Sequence, residues 1–320
     1  MDSGGAKVIM NGKKRVMIFL AAVCMIVCTA AAAFAEVRPL AMDLTVHGQP
    51  LQEEGWNADL TVYQDESIRA ELFEDVVKPA SSKEKIKVRY VVVEIKDPSQ
   101  LRTTLSYESF GDQKESKAQD MAKMVNAVVA INDDKAKFNL YHGYVMRQGV
   151  FYQDTLEQLS KPQDVLIIDD QGDFSIVVKA STETMEARFA EMAADGRKPV
   201  NIFTFGPALV IDGEGQECKT EDSIHSIHTN TSRSAIGQLG PLKYFMLVSH
   251  GENPKGTGFK GNELVKYILE KFPECTYAYN LDGGNASKMV WHGKLKSDSA
   301  GGRQKITGMI YFASAAVTEE

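Results

Sequence analysis

Hydrophobic and polar positions alternate most sharply from Ile86, where "IKVRYVVVEI" is rich in β-branched residues and predicts a strand with one face more buried than the other. Shorter runs of the same kind predict strands over 127–131, 144–151, 165–169, 174–178, 202–211, 234–239, 244–249, 277–281 and 308–312, with a weaker one over 60–63. Three stretches change to a helical period: 116–125, 182–194 and 262–272. In the last, Leu264, Val265, Ile268, Leu269 and Phe272 form one apolar stripe, with Asn262 placed to cap it. Such a stripe must face a sheet. The pattern therefore predicts an α+β fold, a single domain with a large mixed β-sheet, a few packing helices and one βαβ unit near the C-terminus. That unit is strand 244–249, helix 262–272 and strand 277–281, and its two strands should release their loops, at His250 and Asp282, along one sheet edge.

The N-terminal part reads differently. Residues 36–85 are charged and uneven, and are expected to form a leader or peripheral segment before a domain over 86–320. Ahead of them, Lys13, Lys14 and Arg15 precede an apolar run over 16–27, and Ala33-Phe34-Ala35 offers a small-x-small cleavage site. Residues 1–35 are read as a signal peptide or, uncleaved, a signal anchor. Either places the domain outside the cytoplasmic membrane, secreted or in the cell envelope, with membrane contact only through an uncleaved segment.

Composition adds two constraints. The 320 residues are 43% hydrophobic and 25% charged, which supports an ordinary core, and the formal net charge is −7. Without Lys7, Lys13, Lys14, Arg15 and Asp2 of the leading segment, 32 basic and 42 acidic side chains remain, a formal −10. Such a field repels phosphate backbones and argues against a nucleic acid partner. Cys24 and Cys28 fall in the leading segment; Cys218 and Cys275 remain, and the sequence leaves their pairing open.

Several polar groups stand at predicted strand exits. Asp282-Gly283-Gly284-Asn285 follows strand 277–281; paired glycines admit backbone N–H groups close to a ligand, though a plain turn has the same composition. Asn132-Asp133-Asp134 follows strand 127–131, either as a solvated turn or as the second carboxylate that chemistry at an anomeric carbon uses. Arg233, in "TSRSAIGQ", has a guanidinium suited to bidentate phosphate binding or to a surface ion pair. His225 and His228, three apart in a polar loop, lack the neighbours of a metal motif, His250 stands at a strand exit, and His142 and His292 look like turn residues. No nucleophile elbow, P-loop or dinucleotide fingerprint occurs.

In order, "AINDD", "GYVMRQGVFY", "FTFGPALVIDGE", "SRSAIGQ", "YFMLVSHG", "NLDGGNASKMVWHGK" and "GMIYFASA" resemble the phosphodiester glycosidase family over roughly residues 86–315. The resemblance matches Asn132 and Asp134 to the family's Asn and following acid, Gly206-Pro207 to its Gly-Pro, Arg233 to its Arg before Ala-Ile-Gly, and Asp282-Gly283-Gly284 to its Asp-Gly-Gly. Ser287 falls where that loop carries a hydroxyl. "NDDKAKF" and "VSHGE" depart from the usual Asn-Gly-x-Phe/Tyr-Phe and Val-Asp-Gly-Arg. The resemblance implies hydrolysis between a sugar anomeric carbon and a phosphodiester, on a small sugar phosphodiester or a phosphodiester-containing glycan such as an exopolysaccharide. Asp282, Arg233 and Asp134 are then the expected catalytic residues, with Asn132, Gly283, Gly284, Asn285, Ser287 and His250 binding substrate. No cofactor is required. A divalent cation enters only in one alternative, a metal-dependent phosphodiesterase using Asp133, Asp134, Asp282 and the His225/His228 pair; the other alternative is a noncatalytic glycan-binding protein.

Overall fold

The computed structural model describes residues 47–108, 110, 114–134, 143–156, 161–219, 227–251, 254–297 and 305–316. Eight strands form one sheet in the order β1 (Val62–Gln64), β2 (Ile68–Val77), β3 (Ile86–Ile95), β15 (Lys243–Ser249), β14 (Ser234–Gly240), β16 (Tyr277–Leu281), β12 (Ala208–Ile211) and β13 (Glu214–Gly215). A second sheet has the order β10 (Phe174–Val177), β9 (Val165–Asp169), β11 (Pro199–Thr204), β7 (Gly143–Arg147) and β8 (Val150–Thr155). The third has β18 (Lys294–Leu295), β17 (Met289–Trp291), β6 (Ala127–Asn132), β20 (Gly308–Ala313) and β4 (Leu101–Leu105). A short ladder joins β5 (Ser116–Lys117) and β19 (Lys305–Ile306).

The three large sheets share one core, and each turns its other face to a helix. Along β3, Val91, Val93 and Ile95 enter the shared core, whereas Ile86, Val88 and Tyr90 pack with Leu264, Val265, Ile268 and Phe272 of helix α3 (Gly261–Lys271). The two-residue period thus serves two cores, which is why the apolar run is nearly unbroken. Helix α1 (Ala118–Met124) covers the third sheet through Ala118, Met121 and Ala122, and helix α2 (Thr182–Ala194) covers the second through Met185 and Met192. Among the described residues no helix is long and apolar enough to cross a membrane.

The α+β class holds, and the structure changes its details. Strands that read as one sheet are spread over several, and every ladder among the described residues is antiparallel rather than mixed. β15 and β16 do run in the same direction, but β14 lies between them and pairs with both, Ser234 facing Val248 on one side and Leu281 on the other. Their C-terminal ends therefore lie at one sheet edge, as the βαβ reading requires. The strand read over 144–151 is a hairpin turning at Gln148 and Gly149, and that over 202–211 breaks into β11 and β12 around a cis Gly206–Pro207 bond. Asn262 does not cap α3. Lys260 holds that position, and Asn262 sits in the first turn with its Oδ1 accepting from Cys218 N at 2.7 Å.

The segment 36–85 is more than a leader. β2 pairs with the whole of β3, Tyr63, Ile68 and Ala70 enter the shared core, and Trp291 Nε1 donates to Leu60 O at 2.6 Å. Residues 1–35, His142 and His225 lie outside the described residues. Cys218 and Cys275 are both buried and both free, so no disulfide links them.

Candidate functional site

Asp282 ends β16 at the edge where β14 begins and β15 finishes, and the two glycines after it have separate steric reasons. A Cβ on Gly283 would lie 2.8 Å from Ser232 O, so only glycine lets the loop lie against the chain entering β14. Gly284 adopts φ 58° and donates its N–H to Ser232 O at 2.9 Å. The loop is thereby fastened directly beside Arg233.

A cavity of about 460 Å³ opens at this junction, lined by Asp282, Gly283, Gly284, Arg233, Phe205, Thr229, Asn230, Thr231, Lys255 and Gly256. Arg233 is buried, and part of its guanidinium is held by main-chain carbonyls: Nε donates to Phe259 O at 3.2 Å, and Nη2 donates to Thr229 O at 2.8 Å and Ile227 O at 3.1 Å. Fixed by neutral carbonyls, the group keeps its orientation.

Asn132, Asp133 and Asp134 do not line this cavity. Each instead ties a different pair of elements behind it. Asn132 Nδ2 donates to Asp282 O at 2.8 Å and Asp133 O at 3.1 Å, while its Oδ1 accepts from Ser234 Oγ at 2.8 Å and Lys288 N at 2.9 Å. All four hydrogen-bonding positions of the amide are filled, so its part is to hold the Asp282 loop. Asp133 lies against Gly308 of β20, and its Oδ2 is 3.3 Å from Arg147 Nη2. Asp134 pairs with the same Arg147 Nη2 and accepts from Thr204 N at 3.0 Å, which fixes the end of β11 just before Phe205.

Arg147, at the end of β7, was not singled out from the sequence. It is fully buried, donates to Ile202 O at 2.5 Å and Met146 O at 3.0 Å, and stacks over the Phe203 ring at 4.2 Å. Two carboxylates thus share one guanidinium away from water. Burial pushes Asp133 up to about 8; Arg147 opposes this, and the charges of Asp134 and Asp282 reinforce it. Burial raises Asp134 as well, with Arg147 and the Thr204 N–H opposing.

The remaining expected residues separate. Ser287 is buried, with no hydrogen-bond partner for its hydroxyl, one turn beyond Gly284. Asn285 is exposed, and its carbonyl accepts from the buried Lys288 Nζ at 2.6 Å. His250 shares the sheet edge, but its N–H donates to Lys87 O at 2.8 Å and it does not line the cavity. His228 is partly buried, and among the described residues no group of three His, Cys, Asp or Glu is placed to hold a metal ion. The cavity's Phe205, Thr229, Asn230, Thr231, Lys255 and Gly256 were missed; the hydroxyl-rich run before Arg233 was a visible signal for three of them, and nothing in the sequence marked Lys255.

Comparison with known proteins agrees with this architecture. The catalytic domain of zebrafish N-acetylglucosamine-1-phosphodiester alpha-N-acetylglucosaminidase, solved auto-inhibited by its pro-peptide, superposes with a TM-score of 0.58 at 15% identity, over 78% of this chain and 84% of that one. A protein from Synechocystis superposes with a TM-score of 0.53 at 14% identity, over 78% of this chain and 63% of that one. At these identities the likeness is one of fold. No curated protein matches the sequence. Residues 125–313 match the NAGPA phosphodiester glycosidase family, a span from the end of α1 to the end of β20 that holds Asp282, Arg233 and the Asn132–Asp134 junction, and the chain belongs to that family.

Proposed function

We propose that this protein is a hydrolase that cleaves the bond between a sugar anomeric carbon and a phosphodiester, acting outside the cytoplasmic membrane on an envelope or extracellular glycan. The observation that carries this reading is the meeting of a carboxylate, Asp282, and a fixed guanidinium, Arg233, in one 460 Å³ cavity in a member of this family. The C1–O bond breaks, its electrons stay on the departing phosphate, and water supplies the hydroxyl that replaces it. Arg233 offsets the charge that gathers on the phosphate, and Asp282 faces the positive character that develops at C1. A phosphate is a good leaving group, so weak proton donation suffices and no metal is needed for charge neutralisation. Asp134 acts through Arg147 and Thr204 rather than on the sugar, and Asn132 acts through the Asp282 main chain.

The test is release of reducing sugar from sugar-1-phosphodiesters in ¹⁸O-labelled water, for the wild-type chain and Asp282→Asn. The expected result is label in the sugar, turnover unaffected by chelators, and a fall of about a hundredfold or more in the variant. Label in the phosphate would move the case to P–O cleavage. Saturable binding with no release would make the protein a glycan-binding module.

A further inference from the structure

One side of the cavity is a continuous stretch of chain, and its two ends rest on different parts of the molecule. At Ser232 it leans on Gly283 and Gly284. At Asn230 it is tied away from the Asp282 loop, Nδ2 donating to Ser81 Oγ at 2.6 Å and Gly258 O at 2.9 Å. Thr229, Asn230, Thr231 and Arg233 all line the cavity. A phosphodiester held at Arg233 with its sugar toward Asp282 therefore directs its second substituent toward Asn230, Lys255 and Gly256.

That end is built with the turn between β2 and β3, which lies outside the family-matched span. Ser81 gives both its N–H and its hydroxyl to the Glu263 carboxylate, each at 2.7 Å. Lys83 N donates to Gly256 O at 3.0 Å, and Gly258 N donates to Ser82 Oγ at 3.1 Å. Thr257, between those two glycines, is fully buried, and its hydroxyl has no hydrogen-bond partner. The loop that carries Lys255 is thus pinned on both sides. Lys255 itself is exposed, lines the cavity and has no ion pair or hydrogen bond with any described residue.

A phosphodiester brings one negative charge, which Arg233 matches, and Asp282 is engaged at the anomeric carbon. The charge of Lys255 is left over. We infer that Lys255 and Asn230 form a subsite for an aglycone carrying a second phosphate beyond the diester. The subsite rests on the reaction proposed above, since that reaction sets which substituent points where.

The experiment uses two probes, N-acetylglucosamine 1-phosphate esterified to glycerol and the same ester bearing a second phosphate on the glycerol. The full chain should turn over the doubly phosphorylated ester with a kcat/KM about fivefold higher, a preference that weakens with added salt. Lys255→Ala should bring the ratio close to one through KM, and Lys255→Glu should reverse it. Ser81→Ala, which leaves Lys255 in place but loosens its loop, should lower the ratio in part. A wild-type ratio near one, or a ratio that Lys255→Ala does not move, overturns the subsite. If neither ester is cleaved, calorimetric binding of the two esters decides: a preference lost in Lys255→Ala keeps the subsite while the hydrolase reading falls, and equal affinities overturn both.

Discussion

Replacing Asn132 by Ala removes one amide and strands four partners at once. Asp282 O and Asp133 O lose their donor, and Ser234 Oγ and Lys288 N lose their acceptor, all in a place 2% exposed to water. At about 1 kcal/mol net per hydrogen bond the loss comes to about 4 kcal/mol, and buried groups left unpaired push it upward. Domains of ordinary stability, about 5–15 kcal/mol, still fold after such a loss, so the variant is measurable. Urea unfolding at pH 7 should show a lower midpoint with an unchanged slope, and sugar release should fall more than the folded fraction does, because the Asp282 loop has lost its tether. Asn132→Asp supplies a sharper contrast: it preserves the shape and the two accepted bonds, yet turns an acceptor toward the two carbonyls. A loss under about 1 kcal/mol in the Ala variant would refute the reasoning, since the four bonds could not then be holding the junction in solution.

Three further outcomes are expected. Asp133 has a folded-state value raised to about 8 from an ordinary 3.8, so the folded chain holds a proton that the unfolded chain has released between those limits; stability should fall as pH rises from about 4 to 8, and Asp133→Asn should remove that part of the slope in urea titrations. Gly283→Ala would place a Cβ 2.8 Å from the main-chain Ser232 O, which cannot swing aside, so turnover should drop about tenfold while unfolding free energy falls by about 1–2 kcal/mol; unchanged turnover would show that the loop does not need its close approach. Burial pushes the Cys275 thiol up to about 12 and Cys218 is equally enclosed, so neither should alkylate in the native chain, both should do so in denaturant, and a non-reducing peptide map that joined them would contradict the fold.

Much of this fold is legible in the chain because its signals are local. The strands over 165–169 and 277–281 and the helix over 182–194 match residue for residue, each bounded by turn or capping residues such as Ser181, which accepts from Thr184 N at 3.2 Å. What the pattern does not carry is partner choice. β2 reads as charged and irregular because it lies near the sheet's edge and shows one face to water, although its other face fills the core with Ile68 and Ala70. The site divides in the same way. Asp282 and Arg233 stand out as polar groups at strand ends. Arg147 does not, because its importance comes from two carboxylates more than ten residues away in sequence. Asp134 was expected to face substrate for the complementary reason: a carboxylate at a strand exit gives no sign of whether it points at water or at a buried guanidinium.

The junction behind the cavity has a consequence for how the protein comes to act at all. Its ties close very long loops: 150 residues from Asn132 to Asp282, 102 from Asn132 to Ser234, 70 from Asp134 to Thr204, and 182 from Ser81 to Glu263. Contacts this distant repay their entropy only after most of the chain is in place, and such topologies fold slowly. No half of the molecule contains the site in miniature. Catalytic competence is therefore a signature of the completed fold: a chain still being made, clipped between β6 and β16, or caught half-folded would carry every residue of the cavity and be inert.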